Sequence, residues 1–271
     1  MTAKLTILGC GSAIPTIKNN PSAQILEMCD KCFLIDCGEG AQNTIRQMGL
    51  HTNRLYSVFI SHLHGDHCFG LLGLLSTLGM LHRTQDMHIY AHHDLERLTK
   101  PLIEYFCGKL PFEVIFHSIN PRRSEVMFED RTLTVRSIPL RHSVPTCGFL
   151  FEEKHRVRPA DNGEIIEPRK TFSYAYCSDT GYKPAIARWI DGVDVLYHEA
   201  TYIEEQREAA DRYQHCTAAQ AGKIAAKVHA GKLIIGHFSA RFLDQSVFLD
   251  EARQYFPNVI LAEDRHTYLL N

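Results

Sequence analysis

The segment SHLHGDH, residues 61–67, puts His62, His64, Asp66 and His67 into one short stretch ahead of an apolar run. Buried polar groups need partners, and titratable groups packed side by side push one another's proton affinities apart. A metal ion removes that conflict by giving every lone pair a partner. His62 and His64 are two residues apart and can point to one side of an extended segment, whereas Asp66 and His67 follow Gly65, where the backbone can reverse. The two pairs can therefore face two different ions. Imidazole and carboxylate donors suit zinc, with manganese an alternative.

Further candidate donors stand at the ends of apolar runs. TLTVRSIPLR leads to His142, FSYAYCS to Asp179, VDVLY to His198 and Glu199, and KLIIG to His237. In layered α/β folds, sites collect where strand ends and their loops converge on a rigid rim. Adding His142, Asp179 and His237 to the first four residues divides into two donor sets. Three histidines and a shared carboxylate make one; His, His, Asp and the same carboxylate make the other. Two ions about 3.5–4 Å apart in such sets form a clamp suited to phosphodiester hydrolysis. Taken singly, His142, Asp179 and His237 are equally compatible with structural roles, and His51, His82, His88, His92, His93, His117, His155, His229 and His266 read as structural.

The elements that must position these residues are readable from periodicity and turn chemistry. Strands are expected over residues 4–8, 23–28, 32–36, 55–60, 88–91, 114–117, 126–128, 132–140, 147–152, 171–177, 193–198, 232–235, 258–262 and 267–270. Helices are expected over 39–48, 69–81, 95–106, 184–190, 203–212, 218–229 and 245–255. Strand-rich halves that each carry helices imply two sheets with helices outside them, in a single domain over residues 1–271.

Composition excludes several alternatives. The net charge of −2 supplies no global basic field for nucleic acid, and 45% hydrophobic residues with 22% charged is ordinary for a globular chain. The nine cysteines are scattered, and Cys29-Asp-Lys-Cys32 has no second pair to complete a thiolate site, so it reads as a turn between strands. The first residues are too glycine-rich for an export signal, and the run 69–81 is too short to span a bilayer. A cytoplasmic protein without a membrane partner is the expectation.

SHLHGDH resembles the HxHxDH signature of the metallo-β-lactamase superfamily. The remaining motifs resemble the ribonuclease Z family over nearly the whole chain: GCGSAIPTIKNNPSA, FLIDCGEGAQ, IPLRHSVPTCGF, CSDT, HEATY, HCTAAQA and GHFSARF. HxHxDH alone marks the superfamily; HEAT, the histidine of HCT and HFSAR together are specific. The resemblance implies a four-layer αββα sandwich and a zinc-dependent endonuclease that removes the 3′ trailer of precursor tRNA, leaving a 3′-hydroxyl and a 5′-phosphate. It assigns His62, His64, His142 and Asp179 to one Zn2+ ion, and Asp66, His67, Asp179 and His237 to a second. Asp66 becomes the general base. His215, oriented by Glu199, becomes the proton donor to the leaving oxygen, with Ser239 and Arg241 as structural support. Relatives of this kind act as homodimers, for which the apolar helix 69–81 and its neighbours are candidate interface elements.

The chain departs from that pattern at one place. The family carries a tRNA-binding arm between the His142 and Asp179 strands, and here only residues 153–170 remain, a long loop by length. The shortened segment keeps a second hypothesis in play, a small-substrate phosphodiesterase or related dinuclear hydrolase of the same fold. A third, a metal-stabilised RNA-binding scaffold, has no use for His215 or an open coordination position.

Overall fold

A computed structural model describes residues 3–154 and 171–270. Most of the expected loop 153–170 lies outside the described residues.

Two seven-stranded sheets form the centre. The first runs, edge to edge, His266–Leu269, Lys4–Gly9, Ala23–Met28, Lys31–Cys37, Leu55–Phe59, Met87–Ala91 and Val114–Ser118. The second runs Val259–Leu261, Lys232–Gly236, Val195–Glu199, Ser173–Cys177, Cys147–Glu153, Leu133–Pro139 and Val126–Glu129. In each sheet, consecutive parallel strands send their C-terminal ends to one side, so the loops that follow them share a rim.

Period-2 alternation decides what each face buries. Phe33 and Ile35 point between the sheets while Leu34 points outward; Phe59 points between them while Val58 and Ile60 point outward. The inward set meets Val135, Phe149, Phe151, Tyr174 and Tyr176 of the second sheet. Phe59 lies 5.4 Å from both Phe149 and Phe151 and stacks on Tyr90 at 4.6 Å. The outward face of the first sheet packs against Ile45, Leu71, Leu74, Leu78, Leu95 and Ile103 of its helices. Leu196, Ile224, Ala225, Leu233 and Phe248 do the same on the second. The layering is thus the αββα sandwich.

Three local departures from the expected elements have identifiable causes. The helix expected over 69–81 is present as Leu71–Met80, and a separate short turn of helix, Gly65–Cys68, precedes it across Phe69 and Gly70. The Gly70 amide donates to the Cys37 carbonyl at 2.9 Å, and a Cβ at Gly70 would meet the Gly38 carbonyl oxygen at 2.1 Å, so close backbone approach displaces the helical ladder there. Helices expected over 184–190 and 203–212 open as 3₁₀ turns, Pro184–Ile186 and Glu204–Gln206. A two-stranded pair, Gly11–Ser12 with Phe238–Ser239, is too short for any periodicity to announce. Cys29 and Asp30 form the expected hairpin turn, both with positive φ (51° and 63°). Burial pushes the Cys32 thiol up to about 12, which keeps it a thiol.

Because Phe59 bridges the two sheets at full burial, Phe59→Ala is expected to cost about 3–5 kcal/mol of stability, read as the shift in a urea unfolding curve.

Candidate metal centre

Short connections at the shared rim deliver the donors. Leu55–Phe59 leads into His62 and His64, and the turn into Gly65–Cys68 presents Asp66 and His67. His142 follows Leu133–Pro139, Asp179 follows Ser173–Cys177, and His237 follows Lys232–Gly236. The seven residues converge on two groups whose ligand atoms lie within 4.8 Å of one another: His62, His64, His142 and Asp179, and Asp66, His67 and His237. Asp179 also reaches the second group, because its two oxygens face different ways. Oδ2 is 3.6 Å from His62 Nε2 and from His142 Nε2, while Oδ1 is 3.2 Å from His67 Nε2 and 3.0 Å from His237 Nε2.

These spacings fit ions. A tetrahedral centre with bonds of about 2.0–2.1 Å separates its donor atoms by about 3.3 Å. Here His62 Nε2 and His64 Nδ1 are 3.1 Å apart, His64 Nδ1 and His142 Nε2 3.2 Å, and His67 Nε2 and His237 Nε2 3.3 Å. The far side of four rings is already engaged. His67 Nδ1 donates to Asp36 at 2.7 Å, His142 Nδ1 to the Gln214 carbonyl at 3.1 Å, and His237 Nδ1 to Thr201 Oγ1 at 2.9 Å; His62 Nδ1 meets Ser61 Oγ at 3.0 Å. Outer hydrogen bonds of this kind fix the tautomer that turns Nε2 inward.

Electrostatics favours the same reading. Burial, with His67, His142 and His64 nearby, holds His62 well below the usual histidine range, and burial likewise lowers His64 and His142. Neutral imidazole is the form a metal takes. Burial opposes charge on His67, yet Asp179 and Asp36 outweigh it and raise its proton affinity. Burial also opposes charge on Asp179, but His237, His67 and His62 bring it well down. For Asp66 burial is outweighed by the hydrogen bond and charge of His237 and by His67, so it too stays ionised.

His215 and Glu199 form a separate pair in the same cavity, with Nδ1 to Oε1 at 2.8 Å. Glu199 is fully buried and also accepts the Thr180 and Cys216 amides and the Thr201 hydroxyl. Burial would keep it protonated; the charge and hydrogen bond of His215 win and hold it at about 2. Burial lowers His215, but Glu199 outweighs it and lifts it to about 9, leaving an imidazolium at neutral pH. The cavity is open and about 850 Å³, lined among others by Asp66, His215, Phe69, Tyr213, Ser239 and Arg241. All nine site residues expected from the sequence are thus near one cavity or beneath it.

Four participants lie within the quoted motifs but receive no role from the sequence. Asp36 is fully buried and accepts from the Ser61 amide (2.7 Å), Ser61 Oγ (2.9 Å), Tyr176 OH (2.6 Å) and His67. It ends the first-sheet strand Lys31–Cys37 just as Asp179 follows a second-sheet strand, so the strand-end rule, applied without exception, finds it. Ser61 and Thr201 carry the outer hydrogen bonds described above. The Ala13 amide donates to Asp66 Oδ2 at 2.8 Å from a left-handed backbone (φ 62°), an approach across 53 positions of the chain.

The comparisons with known proteins agree with this geometry. The family model for the beta-lactamase superfamily domain matches residues 31–238. With its two facing sheets and rim of histidines and aspartates, the fold is that of a metallo-β-lactamase superfamily protein. The chain is 45% identical over 297 residues to the ribonuclease Z of Bacteroides fragilis, covering 96% of this chain and 97% of the relative. It is 47% identical over 279 residues to that of Azobacteroides pseudotrichonymphae, covering 97% and 96%. The solved structure of human tRNase Z, short form, superposes with a TM-score of 0.81 at 28% identity over 99% of both chains. The chain belongs to the ribonuclease Z family.

Asp36→Asn removes the acceptor that orients His67. It is expected to weaken metal binding by about 10–100-fold, measured by competition with a chromophoric chelator.

Proposed function

We infer that this chain is a metal-dependent endoribonuclease that cuts the 3′ trailer from precursor tRNA. The observation that carries the reading is the sharing of Asp179 between two donor groups, with the His215–Glu199 pair opening into the same cavity. Identity of 45% across nearly the whole chain favours ribonuclease Z over a small-substrate phosphodiesterase.

His62, His64, His142 and Asp179 hold one divalent ion and Asp66, His67, Asp179 and His237 the other; the donor set suits zinc, with manganese an alternative. Bound there, the two ions supply Lewis-acid activation of water and charge neutralisation on the phosphodiester. Asp66 accepts the proton of the attacking water, held in place by the Ala13 amide on Oδ2. His215 carries the proton that the departing 3′ oxygen needs, because Glu199 keeps the ring charged and oriented. Exposed Phe69 and Tyr213 at the cavity offer faces on which unpaired bases stack.

Homodimerisation has support on the helix Asp94–Cys107. Leu98, Leu102 and Tyr105 form an outward stripe at helical spacing, 51%, 43% and 82% exposed, and Phe106, Met80 and Leu81 extend it. A contiguous apolar surface of this sort marks an association face. Among the described residues no helix is long and apolar enough to cross a membrane, and a cytoplasmic location fits the substrate.

The test is cleavage of a precursor tRNA bearing a 3′ trailer. Asp66→Ala is expected to abolish cutting and His215→Ala to slow it by about 10²–10⁴-fold with bound metal retained; an active Asp66→Ala enzyme rules the mechanism out. Leu102→Glu with Tyr105→Glu is expected to shift the protein from dimer to monomer in sedimentation velocity.

A further inference from the structure

Three cations stand together outside the metal cavity, on the two loops that deliver His142 and Asp179 and on the short helix that follows the second. Arg141 immediately precedes His142. Its amide donates to Thr180 Oγ1 at 3.2 Å, its carbonyl accepts from Gly181 at 2.8 Å, and its guanidinium lies over Gly181, where a Cβ would come within 2.5 Å of Nη2. Lys183, four residues beyond Asp179, crosses back to the other loop and donates from Nζ to the Pro139 and Leu140 carbonyls at 2.8 and 3.5 Å. Arg188, in the helix Ala187–Ile190, stacks on Trp189 with Cζ 3.9 Å from the ring centroid, and Lys183 Nζ is 5.9 Å from the same ring.

Among the described residues none of the three has a carboxylate partner, whereas Lys31, Arg97, Lys100, Arg136, Lys154 and Arg207 each have one. Burial and the neighbouring charges of Arg188 and Arg141 lower the proton affinity of Lys183. Crowded like charges without counter-ions raise the free energy of the protein alone, and an anion relieves it. Side-chain freedom is already restricted, by carbonyls at Lys183 and by the indole at Arg188. Backbone clamps hold Arg141 against the loop of Asp179. The cations are therefore fixed relative to the metal donors.

We propose that Arg141, Lys183 and Arg188 form a phosphate-binding patch that holds the RNA backbone next to the scissile position. The proposal rests on the ribonuclease reading above and names the part of the surface that engages its polyanionic substrate. A chain with net charge −2 has no global field to draw in RNA, so its affinity must come from local patches such as this one.

The experiment compares metal-loaded wild type with Arg141→Gln, Arg188→Gln, their double variant and Arg188→Lys. Precursor tRNA cleavage is followed across a salt series, with bis(p-nitrophenyl) phosphate as a small ester. Lys232→Gln, at the opposite end of the second sheet, is the control. The double variant is expected to raise KM for precursor tRNA about tenfold and leave kcat within about twofold. It should also flatten the logarithmic salt slope by about 1.4, near 0.7 for each single-strand phosphate that the protein no longer neutralises. Arg188→Lys should recover most of the activity that Arg188→Gln forfeits. Unchanged KM and salt slope in variants of a wild type that cuts precursor tRNA overturns the patch alone. Equal reductions on both substrates overturn it too, since they mean damage to the metal centre. A wild type that hydrolyses the small ester but leaves precursor tRNA intact overturns the ribonuclease reading, and the patch with it.

Discussion

The carboxylate of Asp36 ties together three pieces of the chain that are distant in sequence. It belongs to the first sheet, accepts a hydroxyl from Tyr176 of the second, and holds both Ser61 and His67 of the histidine-rich loop. A buried charge is tolerated only when its lone pairs are satisfied, and this one has donors on every side. Remove it and the two sheets lose one of their polar ties at the rim, which stands beside the Cys147 amide on the Ser61 carbonyl, while His67 loses the partner that fixes its ring. The aromatic packing of Phe59, Phe149 and Phe151 presses the sheets together, but it is non-directional. The hydrogen bonds of Asp36 add direction to that packing at the rim.

The same rim concentrates backbone strain. Asp36, Asp179 and His237 all have positive φ, at 56°, 57° and 62°, as does Ala13, whose amide meets Asp66. Side-chain-bearing residues held there cost about 1–3 kcal/mol each, a burden the surrounding sandwich offsets. The return is directional. Each strand ends abruptly and turns its donor inward, which an extended continuation, with side chains alternating to opposite faces, does not do.

Much of this site is legible in the sequence, because its donors sit at the ends of apolar runs. His62, His142, Asp179 and His237 each follow a strand whose composition announces it. Asp36 obeys the same rule and lies in the quoted FLIDCGEGAQ, but nothing in the sequence separates a carboxylate that holds a histidine from one that only closes a strand. The start of the helix after the histidine-rich loop, at Leu71 and not Phe69, is hidden for a different reason: the tertiary approach of Gly38 to Gly70 sets it. The amide of Ala13 and the cations Lys183 and Arg188 are also invisible to motif reading. Their meaning comes from neighbours distant in sequence.

The loop that carries Ala13 has its own fastening. Asp264 accepts the Cys10 amide at 2.9 Å and the Asn20 amide at 2.6 Å, partners separated from it by 254 and 244 positions in the chain. His67 and His237, 170 positions apart, close the second donor group. Pairings this remote make folding slow, since the entropy of closing large loops is spent before the pairings reward it. They also order events during synthesis. The first histidines leave the ribosome long before Asp264 does, so the loop bearing Ala13 gains its anchor only after nearly every strand has been made. The second donor group and the loop that touches Asp66 therefore gain their last partners only when residues 237 and 264 have been made.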